Sequence, residues 1–247
     1  LGADGLTIKG EIENIGPNLS RKLTVDAAAG TYITACKPGM KGDGIRADFT
    51  VEKSGDAPAV SANEQQLVDA ALANYKAYIN DQSDQLVAAT QQFVTLYKEG
   101  KDDEARALYP KARTHWERIE TVAESFGDLD PLTDAREADL EPGQKWTGWH
   151  RIEKDLWPPA GYKALTPPQR ATYADDLMKN ITTLDSRIGG LSYTVDQIAN
   201  GSRGLLEEVA NGKVTGEEEA WSHTDLWDFQ ANIDGARVGW EGVKPIV

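Results

Sequence analysis

The sequence predicts a mainly α protein, a helical bundle preceded by a short, incomplete β-sandwich segment. Three observations predict it. Composition changes near residue 55, from a stretch rich in Gly, Thr, Ile and Val to one dominated by helix formers. Beyond residue 60, apolar side chains recur at three- and four-residue steps, as in Leu67, Ala71, Tyr75, Tyr78, Leu86, Ala89, Phe93 and Leu96, the spacing that lines one helix face. Before residue 55, β-branched runs alternate with Gly, Pro and Asp punctuation. The division is therefore residues 1–55 as a β segment and 60–247 as a bundle.

Each element follows from local chemistry. Arg21–Val25, Thr31–Cys36 and Ile45–Val51 read as short antiparallel strands. Fewer than about 60 residues make a thin sandwich, so this piece is incomplete. Ser54–Pro58 reads as a linker. Ser61 with Glu64 forms a capping box that opens a long helix, closed by Gly100, with a break expected near Asn80–Ser83. Asp102 opens a second helix that runs past Pro110 to about Phe126. Gly127–Gly143 is an acidic loop. Trp146–Trp157 is a short helix stopped by Pro158 and Pro159. Pro167 and Pro168 open the next helix, which ends near Arg187. Gly204–Ala210 and Ser222–Val243 supply the last two, and Ser222 with Asp225 matches a second capping box.

Bulk properties exclude several functions. Lys and Arg number 26 against 40 Asp and Glu, a net charge of -14, which repels nucleic-acid phosphates and anionic lipid. The same charge suits a cation ligand or a basic partner, or serves solubility alone. A single cysteine, Cys36, rules out an internal disulfide and a four-cysteine zinc site. No apolar run approaches the roughly 20 residues of a membrane span. The chain opens at Leu1 without an initiating methionine, as a removed leader or an incomplete sequence would leave it. No Gly-x-Ser-x-Gly elbow and no phosphate-cradling glycine loop is present.

The three histidines, His115, His150 and His223, each fall in a helical stretch with acids and a tryptophan close by. His150 and Glu153 stand three apart, on one helix face, where an imidazole and a carboxylate can reach one metal ion. The same spacing equally suits a surface pair or a buried histidine satisfied by its glutamate. Glu117, Glu120 and Glu124 line one face at three- and four-residue steps, a like-charge row that a bound cation, or Arg113 and Arg118, would relieve. Otherwise that row is a solvated face. The acids of the loop, Asp128, Asp130, Asp134, Glu137, Asp139 and Glu141, lack calcium-loop spacing and either fold over that face or stay solvated. Glu217, Glu218 and Glu219 precede the last helix and can approach the site, with His223 and Asp228 as orienting groups behind the ligands. Trp116, Trp146, Trp149, Trp157, Trp221 and Trp227 gather around these motifs, mostly as core, some as a cleft wall. An oxygen-rich donor set with one or two imidazoles suits iron, manganese or zinc better than copper(I).

Gly148-Trp-His-Arg-Ile-Glu153 matches the GxHxxE motif of the imelysin-like family, which is classed with peptidases. His115-Trp-Glu-Arg-Ile-Glu120, Asp134-Ala-Arg-Glu137, Gly216-Glu-Glu218 and the run Ser222–Asn232 resemble iron-uptake components of the EfeO type. The resemblance implies a metal site of Glu117, Glu120, Asp134, His150 and Glu153, with Glu218 added. It implies iron, Fe2+ or Fe3+, as the cargo, with zinc or another divalent metal as substitutes. It also implies a periplasmic or cell-surface location, and work with a membrane iron permease and a haem peroxidase-like partner. Glu13–Pro17 and Gly30–Cys36 resemble the latter half of a cupredoxin-like domain, which makes Cys36 and Met40 candidate ligands there. Blue copper needs two histidines beside the cysteine, and this segment has none, so copper is not expected. Cys36 would otherwise pair with a cysteine outside this sequence or be a plain strand residue. The resemblance further implies absent sequence on both sides, the first half of the cupredoxin-like domain and helices beyond Val247. Three functions stay in view: iron binding and delivery, metallopeptidase activity, and polysaccharide binding through a bridging cation.

Overall fold

A computed structural model describes residues 1–3, 5, 9–10, 15, 20, 22–23, 25, 27–36, 44–52, 61–140 and 142–247, apart from the side chain of Glu124. Two strands, β1 (Gly30–Cys36) and β2 (Ile45–Val51), pair antiparallel with Gly30 opposite Val51 and Cys36 opposite Ile45. The N-terminal amine of Leu1 donates to the Ile33 carbonyl at 2.7 Å and ties the chain start to β1. Of the third expected strand, Arg21–Val25, only Lys22, Leu23 and Val25 are among the described residues, and these are irregular. Met40, the Ser54–Pro58 linker, Glu141 and all of Glu13–Pro17 except Ile15 lie outside them too. Cys36 is exposed at the end of β1 as a free thiol.

The bundle begins with α1 (Ala62–Lys98), where Ser61 and Glu64 form the expected reciprocal cap. At 1.5 Å per residue this helix spans about 55 Å. It packs against α2 (Asp102–Ile119) and α5 (Pro167–Ile188), and α2 and α6 (Val195–Asn211) pack in turn on α7 (Asp225–Val243). The short α3 (Leu129–Asp134) and α4 (Trp149–Leu156) close one side. Tyr75, Ile79, Leu86, Phe93 and Tyr97 of α1 meet Tyr109, Trp116 and Ile119 of α2 and Trp149, Ile152 and Leu156 of α4 in one core. Each such side chain contributes roughly 1.5–3 kcal/mol on burial.

Several expectations shift. The break near Asn80–Ser83 is absent because its polar residues are buried with partners: Gln82 Oε1 meets His115 Nδ1 at 3.0 Å, and Ser83 Oγ donates to Asp185 at 2.8 Å. The second helix ends at Ile119 and tightens into a 3₁₀ segment, Glu120–Phe126, kinked at Val122. The acidic loop contains α3 and a 3₁₀ turn, Glu137–Asp139. Helix α4 starts at Trp149 rather than Trp146, whose indole instead donates to the Ala135 carbonyl at 2.7 Å. Helix α6 starts at Val195, well before Gly204, on a capping box of Thr194 and Gln197. The Ser222–Asp225 box does not form. Ser222 Oγ donates to Glu219 Oε2 at 2.8 Å, Asp225 Oδ1 accepts from the Glu219 N–H at 3.1 Å, and Thr224 precedes α7. No helix is long and apolar enough to cross a membrane among the described residues.

Candidate metal centre

Gly148 sets the geometry. It precedes α4 with φ 88°, and a Cβ on it would stand 2.0 Å from the carbonyl oxygen of Thr133. Only glycine fits both the left-handed backbone and this close approach. Two residues on, His150 is thereby brought against Asp134, which directly follows Thr133 at the end of α3.

Glu153, one turn along α4, orients the ring. Its Oε2 lies 3.3 Å from His150 Nδ1, and its Oε1 accepts from the backbone N–H groups of Trp221 and Ser222 at 3.0 and 2.7 Å. A carboxylate only accepts, so Nδ1 carries a proton and Nε2 faces the cleft. Buried Nε2 has no hydrogen-bond partner among the described residues, and lies 3.4 Å from Asp134 Oδ1 and 3.7 Å from Glu218 Oε1. Donor atoms of Asp134, His150 and Glu218 all fall within 4.8 Å of one another, a spread one ion can bridge after small side-chain movements. Glu218 is ringed by three cations, Arg113 at 3.3 Å, Arg136 at 3.5 Å and Lys213 at 3.6 Å. A cleft of about 240 Å³ opens on the pair, lined by Arg136, Glu137, Ala138, Glu217, Ala220 and Trp221.

Behind this opening lies Arg113, fully buried on α2. It ion-pairs with Glu117 at 2.5 Å and Glu219 at 2.7 Å, with Asp134, and at longer range with Glu218 and Asp228 at 3.3 and 3.4 Å. Asp134 Oδ2 also accepts from Trp116 Nε1 at 2.8 Å. Beyond it, buried Lys213 contacts Glu117 at 3.2 Å and Glu120 at 2.7 Å, and Asn232 Nδ2 donates to both carboxylates. Of the glutamate row, Glu117 and Glu120 are thus relieved by Arg113 and Lys213. Arg118 turns away to Asp234 at 3.6 Å.

Among the described residues, Glu117, Glu120, Asp134, Glu153, Glu218, Glu219 and Asp228 meet as cationic groups Arg113, Lys213, His150 and, at the rim, Arg136. Carboxyl groups outnumber basic groups where burial penalises charge. Burial pushes Glu219 and Asp228 well above the ordinary carboxylate range despite Arg113. Burial likewise raises Asp134 against Arg113 and His150, and raises Glu120 well up against Lys213. Burial opposes ionisation of Glu218 too, but Lys213, His150 and Arg113 outweigh it and hold this carboxyl well below its usual range. For His150, burial and Arg113 oppose the charge, yet Glu153, Glu218 and Asp134 raise it well above the usual value. A proton on Nε2 competes with a metal for that nitrogen.

The structure brings Asp134, His150, Glu153 and Glu218 together at the cleft and sets Glu117 and Glu120 one layer deeper, around Lys213. His115 lies apart, against Gln82. His223 is exposed with φ 54°, and no hydrogen bond or ion pair ties its ring to the cluster among the described residues. Asp228 is buried beside Arg113 with Oδ2 unpartnered among the described residues. Of the three glutamates before α7, Glu218 and Glu219 reach the cluster, while Glu217 pairs with Arg136 at 3.0 Å. Lys213 escaped sequence reasoning because a lysine in a Gly-rich turn carries no signal of burial. Glu219 was visible only as one of an acidic triplet.

The imelysin family model, peptidase family M75, matches residues 71–247. Proteins described as "Iron uptake system component EfeO" from Escherichia coli K12, Escherichia coli O157:H7 and Shigella flexneri are each 38% identical over 236 residues. The alignment covers 94% of this chain and 61% of each relative, so the chain spans about three-fifths of the length of these proteins. With its GxHxxE motif folded around a single cleft and the family model spanning most of its length, the chain belongs to the imelysin family.

Proposed function

We propose that this chain captures iron for an extracytoplasmic uptake system, as its EfeO-named relatives suggest. The observation that supports the reading is the buried Nε2 of His150, without a hydrogen-bond partner among the described residues and aimed between Asp134 and Glu218 where acids outnumber bases. Asp134, His150 and Glu218 would hold the cation, which is cargo rather than a resident cofactor. Glu153 would fix the ring from behind. Glu117 and Glu120 would form the deeper part of the site. Oxygen donors suit a hard ion, with zinc or another divalent ion as competitor. Because the incoming ion displaces the Nε2 proton, acidification would release it. Delivery would be to a membrane permease, with a haem peroxidase-like partner, in the periplasm or at the cell surface.

A carrier suits the arrangement better than a hydrolase. A peptidase needs a base facing the metal's open position, whereas both Glu153 oxygens are engaged by the His150 ring and two backbone N–H groups. Anaerobic calorimetric titration with Fe2+ tests the reading. Binding should weaken by more than about a hundredfold in His150→Ala and in Glu218→Gln, beyond the scale of a lost supporting partner. Unchanged affinity in both would sink the assignment.

A further inference from the structure

Lys213 stands in an unusual place for a lysine. It sits in an exposed turn, Lys213–Thr215, between Gly212 and Gly216, and Gly216 has φ 80°. Val214, Thr215, Gly216 and Glu217 all face solvent, yet the Lys213 side chain is only 1% exposed. Its ammonium points inward to Glu120 Oε1 and Oε2 at 2.9 and 2.7 Å, to Glu117 Oε2 at 3.2 Å and to Glu218 Oε1 at 3.6 Å. Burying an ammonium is costly unless carboxylates compensate it. Here they do, and the group fills the position that a metal bound by Glu117 and Glu120 would take.

We propose that Lys213 is a tethered counter-cation. It neutralises the Glu117–Glu120 pair in the metal-free protein, and a metal ion entering the site expels it into solvent. This rests on the metal-capture reading above. The geometry supplies the coupling. Glu218 is shared, lying 3.6 Å from the Lys213 ammonium and 3.7 Å from His150 Nε2. An ion held by Glu218 and His150 thus sits within a few ångströms of a like charge in a poorly screened interior, and repels it. The way out is short, because a four-carbon stem rotating from a surface turn needs no helix to move. Asn232 would remain behind. Its Nδ2 donates to both glutamates, while its buried Oδ1 has no partner among the described residues and is free to accept from water or to face the ion. The device offsets the charge of the two adjoining carboxylates when the site is empty, and couples loading to exposure of the 212–216 turn.

The test uses the wild-type chain and Mn2+ as a redox-quiet probe. Amine acylation by an N-hydroxysuccinimide ester, read by mass spectrometry of the Lys213 peptide, should be slow without metal. It should accelerate by about tenfold or more at saturation, as a group leaves a protected interior. Lys213 that stays protected in a demonstrably Mn2+-loaded protein overturns the inference and leaves the metal site standing. Failure of Mn2+ and Fe2+ to bind at all overturns both. In a second arm, Lys213→Met should bind Mn2+ about tenfold more tightly or better, because a competing unit charge close to the ion is gone. Equal or weaker binding by a folded Lys213→Met protein also overturns it.

Discussion

Replacing Gly148 by alanine should damage stability and binding together, and the sizes follow from the structure. The new Cβ would lie 2.0 Å from the Thr133 carbonyl oxygen, against the 3.0 Å that real contacts respect, so the two backbones must part by about 1 Å. An L-residue at φ 88° adds about 1–2 kcal/mol. Forced separation of packed segments adds about 1–3 kcal/mol. Together these give a loss of about 2–5 kcal/mol, readable as a lower urea midpoint by tryptophan fluorescence. The separation falls between Asp134 and His150, whose donor atoms are 3.4 Å apart. Metal–ligand distances tolerate only about ±0.2 Å, so Mn2+ affinity should fall by at least about a hundredfold. A Gly148→Ala protein with an unchanged midpoint and affinity within about threefold would refute the reasoning, since this glycine would then not be what draws α4 onto α3.

Other outcomes can be checked alongside. Arg113→Met strands five carboxylates around an apolar group and should cost about 3–5 kcal/mol in urea denaturation with chelator present. Glu153→Gln should leave the midpoint nearly unchanged but weaken Mn2+ binding by about 10–100-fold in calorimetry, because an amide NH₂ turned to Nδ1 moves the ring proton to Nε2. Asp130 is pushed up from 3.8 to about 7, by burial first and then by Asp134. Its folded form therefore holds a proton that the unfolded chain has lost, and the metal-free protein should lose stability as pH rises from about 4 to 7. Asp130→Asn should stabilise it by on the order of 1 kcal/mol at pH 8 and leave it unchanged near pH 4 in thermal melts. Removing residues 1–60 should leave the melting temperature of the bundle within about 2 °C, as expected if the β segment is a separate unit.

The helices were legible where one rule governs them. Ser61 with Glu64, and the paired prolines at 167 and 168, mark their ends by backbone chemistry alone, and both ends hold. Thr194 with Gln197 carries the same signal, but the glycines after it masked the start of α6. Periodicity failed at Gln82 and Ser83, because a polar residue breaks the apolar pattern whether it faces water or a buried partner. The same limit governs the site. His150 and Glu153 share a helix face, so their pairing was readable from spacing. That Arg113 meets Asp228, or Lys213 meets Glu120, depends on how elements about a hundred residues apart come together, which no local pattern encodes. Gly148 looked like a motif letter; its reason is the Thr133 carbonyl.

Arg113 has a consequence for how the pocket can fail. One guanidinium fastens α2, α3, the segment before α7 and the first turn of α7 itself. Like a keystone, it makes the arrangement all-or-nothing. If α7 peels away, Asp228 leaves, the remaining acids crowd one another, and Glu153, which faces the His150 ring, loses the backbone N–H groups of Trp221 and Ser222 just before that helix. Loss of the cluster's geometry should therefore coincide with the first opening of this C-terminal helix, well before the long α1 unravels.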